Sequence, residues 1–149
     1  MRPSLIPPAT MELLPALAAL AASAFTSATL LPGTSEAALL CFLHPYPAHS
    51  LAGWGAASAA NTLGSLTSYA IGRFLPERRI HARAAGYLKH HGVWLLLFSW
   101  VPLVGDALPL AAGWLRLSPW LSALMLLTGK SLRYALIIWG GYWFGIGHA

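Results

Sequence analysis

Charge is what this chain has least of. Asp, Glu, Lys and Arg together make up 9 % of its 149 residues, against about 25 % in an ordinary soluble domain. So few charges cannot cover a water-facing surface, which excludes a soluble globule. With 57 % hydrophobic residues, the chain also lacks the polar composition that keeps a segment disordered. There is one cysteine, Cys41, and so no intrachain disulfide framework. Catalytic signatures are missing too. The sequence has no Gly-x-Ser-x-Gly elbow, no His-Glu-x-x-His and no glycine-rich phosphate loop after a strand. No nucleophile–base pair is visible, so an enzyme is not expected. His44, His49, His81, His90, His91 and His148 read as interface residues near loops. His90-His91 has no carboxylate or thiol beside it, so no metal and no cofactor is expected. What remains is a small, single-domain, all-α integral membrane protein.

The few charges are unevenly placed. Nine bases face four acids, and five of the bases (Arg73, Arg78, Arg79, Arg83, Lys89) fall in one block where Glu77 is the only acid. Basic short loops stay on the cytoplasmic side of a membrane, so residues 73–91 are expected as a cytoplasmic loop. Arg79, Arg83 and Tyr87 also suit a short helix lying on anionic lipid headgroups. The block is short and its neighbours are apolar, so nucleic acid is not an expected partner. Glu36, Asp106, Lys130 and Arg133 are different, because each lies inside an otherwise apolar stretch. A charge at mid-membrane costs roughly 2.5–3.5 kcal/mol. The two acids and two bases are therefore expected to face inward, toward one another or a wet cavity. Such residues are functional candidates, or else a structural ion-pair cluster.

Breakers divide the chain. Residues 1–10 are rich in proline and read as a flexible tail. Ala22-Ser23-Ala24 has the form of a signal-peptidase site. Glu12 spoils a basic leader, however, and the apolar run continues past the site, so retention is expected. The apolar stretch from Leu13 stops at Pro32-Gly33, and a short run returns to Leu43. Seven to ten residues cannot cross a hydrocarbon core that takes about 20 in a helix. Residues 11–43 are therefore expected as a hairpin with a broken tip. Thr34, Ser35 and Glu36 can cap the half-helix that leaves it. Residues 50–72 are long enough to span. They carry Ala60, Gly64, Ser68 and Gly72 at a four-residue interval, a stripe suited to close helix packing and compatible with a homodimer. Asn61, beside that stripe, needs a hydrogen-bond partner in lipid. After the basic block, Val93–Trp100 is expected as a short helix, broken by Pro102 to Pro109, with a return to Leu117. Residues 92–117 thus form a second hairpin. Ser118-Pro119 opens a last span over 119–146 that ends in an aromatic belt of Trp139, Tyr142, Trp143 and Phe144.

Pro32-x3-Glu36 and Pro102-x3-Asp106 repeat one pattern, and each is followed by one long span. The first span carries the chain across the membrane, so the hairpins would enter from opposite faces. The expected architecture is an inverted repeat of a re-entrant helical hairpin plus a transmembrane helix.

Several of these residues also resemble a known family. Ser27-Ala28-Thr29-Leu30-Leu31-Pro32-Gly33-x-Ser35-Glu36 resembles the first hairpin tip of the DedA superfamily, in its short YqaA-like branch. Asn61-x-x-Gly64 with Tyr69-x-x-Gly72-Arg73 resembles the span that follows. Ser99-Trp100-x-Pro102-x-x-Gly105-Asp106-x-Leu108 with Ala112-Gly113-Trp114 resembles the second hairpin, and Gly129-Lys130-x-x-Arg133-Tyr134 the last span. The class is also called VTT or SNARE-associated. The resemblance implies a bacterial inner-membrane protein that moves phospholipids or lipid-linked phosphates of the undecaprenyl phosphate type, with dependence on the proton gradient. One departure is visible. Larger members carry arginines around the second tip, where this chain has Gly105-Asp106.

On that reading, Lys130, Arg133 and Asn61 are the candidates for binding a lipid phosphate, and Glu36 and Asp106 for coupling to protons. Pro32, Gly33, Ser35, Pro102 and Gly105 shape the tips. The competing expectation is a membrane scaffold whose buried charges only fix the fold.

Overall fold

The computed structural model describes residues 8–29, 34–76, 90–101 and 104–145. Among these, every regular element is helical: α1 (Pro8–Ser27), α2 (Thr34–Leu43), a 3₁₀ turn (Pro47–His49), α3 (Ser50–Phe74), a 3₁₀ segment (Gly92–Trp100), α4 (Val104–Trp114) and α5 (Pro119–Trp143). α1 begins at Pro8, inside the stretch read from the sequence as a tail. Proline's fixed φ suits a first helical position, where its missing N–H costs nothing. The tips at Pro32-Gly33 and Pro102, and the basic block from Glu77 to Lys89, lie outside the described residues.

α3 and α5 are each 25 residues long, about 37 Å at 1.5 Å per residue. Among the described residues, α5 is the one helix both long and apolar enough to cross a membrane. α3 has the length, but Gly, Ser, Thr and Asn along its buried side dilute its apolar character. The segment expected as a short helix over Val93–Trp100 is helical, and of 3₁₀ type. Valine, tryptophan and phenylalanine there lose rotamer freedom in an α-helix. A 3₁₀ rise of about 2.0 Å per residue also carries nine residues some 18 Å, farther than an α-helix would.

α3 is the central post. Near its start, Gly53 lies against the Phe42 ring of α2. Further on, Gly64 lies so close to α1 that a Cβ would stand 2.5 Å from the Phe25 carbonyl oxygen. At its end, Gly72 faces the backbone of α4 at Leu110, and Gly113 of α4 faces the backbone of α3 at Tyr69. α5 runs antiparallel to α3. Trp54 and Ala57 share an apolar cluster with Tyr134, Ile137 and Ile138, while Leu66 and Tyr69 share another with Met125 and Leu126. Trp54 Nε1 donates to the Ser131 carbonyl at 2.9 Å, and the Tyr69 hydroxyl donates to the Leu117 carbonyl. These contacts fix the register of the two helices.

Candidate functional site

The first turn of α2 carries Glu36, where the helix dipole favours an acid. It points at α5. Arg133 donates from Nε to Glu36 Oε1 at 2.7 Å, and its Nη2 donates to the same oxygen. The arginine side chain is 13 % exposed and the carboxylate 35 % exposed, so the pair lies at the edge of the interior. It borders a cleft of about 310 Å³ lined by Glu36, Trp100, Arg133, Leu136 and Ile137. One turn earlier on α5, Lys130 is 1 % exposed. Residues three apart stand on neighbouring faces of one turn, so α5 brings a guanidinium to the cleft and an ammonium to the interior beside it. Either charge left alone in hydrocarbon would be costly, and the Glu36–Arg133 contact offsets that cost for both partners.

The other candidates fall in several places. Asp106 belongs to α4, but its side chain lies outside the described residues. Ser35 is buried beside Glu36. Gly105 abuts the end of the 3₁₀ segment, where a Cβ would come 2.7 Å from the Ser99 carbonyl carbon. Only glycine lets the two strands of that turn meet. Asn61 is turned toward α1. Its Nδ2 donates to the Ala24 carbonyl at 2.8 Å and to Ser27 Oγ at 3.0 Å. That places it in the α1–α3 contact, not with Arg133 at the cleft.

Some residues of the region were not among the binding or coupling candidates read from the sequence. Trp100 lines the cleft at 42 % exposure. Tyr69 links α3 to Leu117 and also accepts from Arg73 at 3.0 Å. Ser58, Ser65, Ser99 and Ser122 are buried. The one signal in the sequence is the spacing of Ser58 and Ser65, seven apart on one face of α3.

The chain is similar over most of its length to proteins of known name. It is 44 % identical over 124 residues to the inner membrane protein YqaA of Escherichia coli K12, covering 81 % of this chain and 87 % of that one. The Shigella flexneri protein of the same name matches to the same extent. The chain belongs to the YqaA family of inner membrane proteins. A Haemophilus influenzae protein is 40 % identical over 129 residues, covering 78 % of this chain and 81 % of its own. No family model and no solved structure matches the chain. As a YqaA relative it is an inner membrane protein.

Proposed function

We propose that this YqaA-family chain moves phosphate-bearing lipids across the bacterial inner membrane, as a DedA-type (VTT) transporter or scramblase with no catalytic chemistry of its own. In this reading α1–α2 and the 3₁₀ segment with α4 are two re-entrant hairpins entering from opposite faces, and the basic block is cytoplasmic. The observation that carries the proposal is the Glu36–Arg133 contact at an open cleft on α5, with Lys130 buried one turn away. A planar guanidinium matches a phosphate in two-point fashion, and an ammonium adds a point charge. Glu36 competes for the same guanidinium. A proton on Glu36 frees Arg133 for phosphate, and its loss closes the pair again. Asp106 is the second candidate for proton coupling, and Lys130 the second base. The partners are then membrane lipids with anionic headgroups; a homodimer would need another face, since Gly64 and Gly72 of the small-residue stripe already receive α1 and α4.

Purified protein in liposomes, assayed for flipping of labelled lipid phosphates with and without a pH gradient, tests this reading. Arg133→Ala and Lys130→Ala should each abolish movement, and Glu36→Gln should keep movement while removing its response to the gradient. Unchanged flipping in both base variants overturns the proposal. The scaffold reading draws on the same closed ion pair, since a pair can serve the fold alone. A scaffold tolerates the neutral double variant Glu36→Gln/Arg133→Met, and a transporter does not.

A further inference from the structure

Hydroxyl groups inside a membrane protein usually donate to a carbonyl one turn back in their own helix, because lipid offers nothing else. The exposed threonines here do so: Thr26 to Ala22, Thr67 to Leu63 and Thr128 to Leu124. Buried Thr62 and Ser27 do so as well. Four buried serines do not. Ser58, Ser65, Ser99 and Ser122 are between 0 and 3 % exposed, and their hydroxyls have no hydrogen-bond partner. Asn61 Oδ1 is a fifth buried oxygen in the same condition. A buried polar atom without a partner carries a desolvation penalty, and native folds hold few of them.

Trp114 Nε1 of α4 is a sixth such atom and Asn61 faces α1, but the serines fall on α3, on α5 and on the 3₁₀ segment that packs against α5. The antiparallel register set by Trp54 with Ser131 and Tyr69 with Leu117 brings Ser65 level with the first turns of α5, where Ser122 sits. The same register brings Ser58 level with Leu127 and Thr128, less than one turn from Gly129 and Lys130. Ser99, on the 3₁₀ segment, meets α5 at Gly129, its Oγ 3.3 Å from the place of a Cβ there. Ser58 and Ser65 are about 10 Å apart along α3, and Asn61 between them is turned to α1. Ser65 and Ser122, both 0 % exposed and unpartnered, thus stand at one level on the two packed helices.

We propose that the seam between α3 and α5 is an internal hydration site. Ordered water there bridges Ser65 to Ser122. Water is the ligand that fits. It needs two to four polar partners and both gives and accepts hydrogen bonds, as serine does. A cation finds only neutral oxygens here and is repelled by the Lys130 ammonium. A lipid headgroup is too large for a seam whose walls are sealed from the surface. As a route by which protons reach the Lys130 level this rests on the coupled-transport reading above. As a hydration site it does not.

Radiolytic hydroxyl labelling of the full chain in lipid nanodiscs, run in ¹⁸O water, tests it. Leu126 is 0 % exposed and lies between Ser122 and Lys130 on α5. Bound water beside it makes Leu126 a labelled residue, while lipid-facing Leu124 and Leu132 stay unlabelled. Leu126 as blank as those two overturns the inference. The sign of a stability change gives a second answer. In a dry seam, Ser65→Ala or Ser122→Ala removes an unpaired hydroxyl and raises Tm. In a wet seam, each strips a water of its partner and lowers Tm by roughly 2–4 °C. The double variant then costs little more than either single one, because both serines hold the same water. A labelled seam in a protein that flips no lipid sinks the transport reading and leaves hydration standing. An unlabelled seam in a protein that flips lipid does the reverse.

Discussion

Gly72 and Gly113 set α3 and α4 backbone against backbone, and neither has room for a methyl group. A Cβ on Gly113 would come 2.7 Å from the Tyr69 carbonyl carbon and 3.0 Å from the Arg73 nitrogen. Backbone cannot swing aside as a side chain can. Gly113→Ala is therefore expected to cost about 1–3 kcal/mol, read as a fall in the thermal midpoint of the purified protein. Gly140 on α5 is the control, since nothing lies within 4 Å of a Cβ there. Gly140→Ala should be neutral or gain up to about 1 kcal/mol from helix propensity. Arg116 presents the opposite case. It adopts φ 52° just past α4, where its N–H reaches the Gly113 carbonyl at 2.9 Å and the Leu117 N–H reaches the Ala112 carbonyl at 3.1 Å. Glycine is the usual residue at such a left-handed helix end, so Arg116→Gly should stabilise by roughly 1 kcal/mol. A lower midpoint in that variant would mean that the arginine side chain itself holds the turn. At this scale the charges were legible: Glu36 and Arg133 stood out because a lone charge in an apolar run has to find a partner. Which base would meet which acid was not, because 97 residues separate the two. Asn61 shows the limit most plainly. The sequence said that its amide needs a partner, and only the fold shows its Nδ2 spent on Ala24 and Ser27 of α1.

Among the elements, the small-residue stripe of α3 was readable as a packing surface, yet it serves two neighbours. Gly64 receives α1 and Gly72 receives α4. Eight residues advance about 12 Å along a helix, enough to pass from one neighbour to the next, and periodicity alone does not name them. The 3₁₀ segment was legible as apolar and short but not as 3₁₀, because both helix types bury the same residue kinds. Tyr69 ties these elements at one end. Its ring is buried between α3 and α4, its hydroxyl donates to Leu117, and Arg73 donates to it. Tyr69→Phe keeps the ring and loses both bonds. It should lower stability by about 1–2 kcal/mol, measured by thermal unfolding. A Phe variant as stable as the parent would mean that the Leu117 carbonyl finds another donor.

Across the whole molecule, the two halves share a pattern in sequence but are fastened differently. α4 is held to α3 by interlocked glycines and the Tyr69–Leu117 bond. α2 reaches α5 through apolar contacts of Leu39, Phe42 and Leu43 with Tyr134 and its neighbours, and through the Glu36–Arg133 ion pair at an open cleft. A backbone interlock offers no low-cost way to part, whereas an ion pair at the interior's edge gives way when either partner is neutralised or finds another ion. Motion in the assembly should therefore concentrate on α2. Hydrogen exchange in nanodiscs measures this directly. Amides of α2 from Leu39 to Leu43 are expected to exchange faster than those of α4 from Leu108 to Gly113. Arg133→Gln should accelerate the α2 set by roughly tenfold for each 1.4 kcal/mol of local stability removed, and leave the α4 set unchanged. Equal acceleration of both helices would show that the pair supports the fold as one cooperative unit. No acceleration of either would show that the apolar contacts alone hold α2 in place, and that opening the ion pair moves nothing.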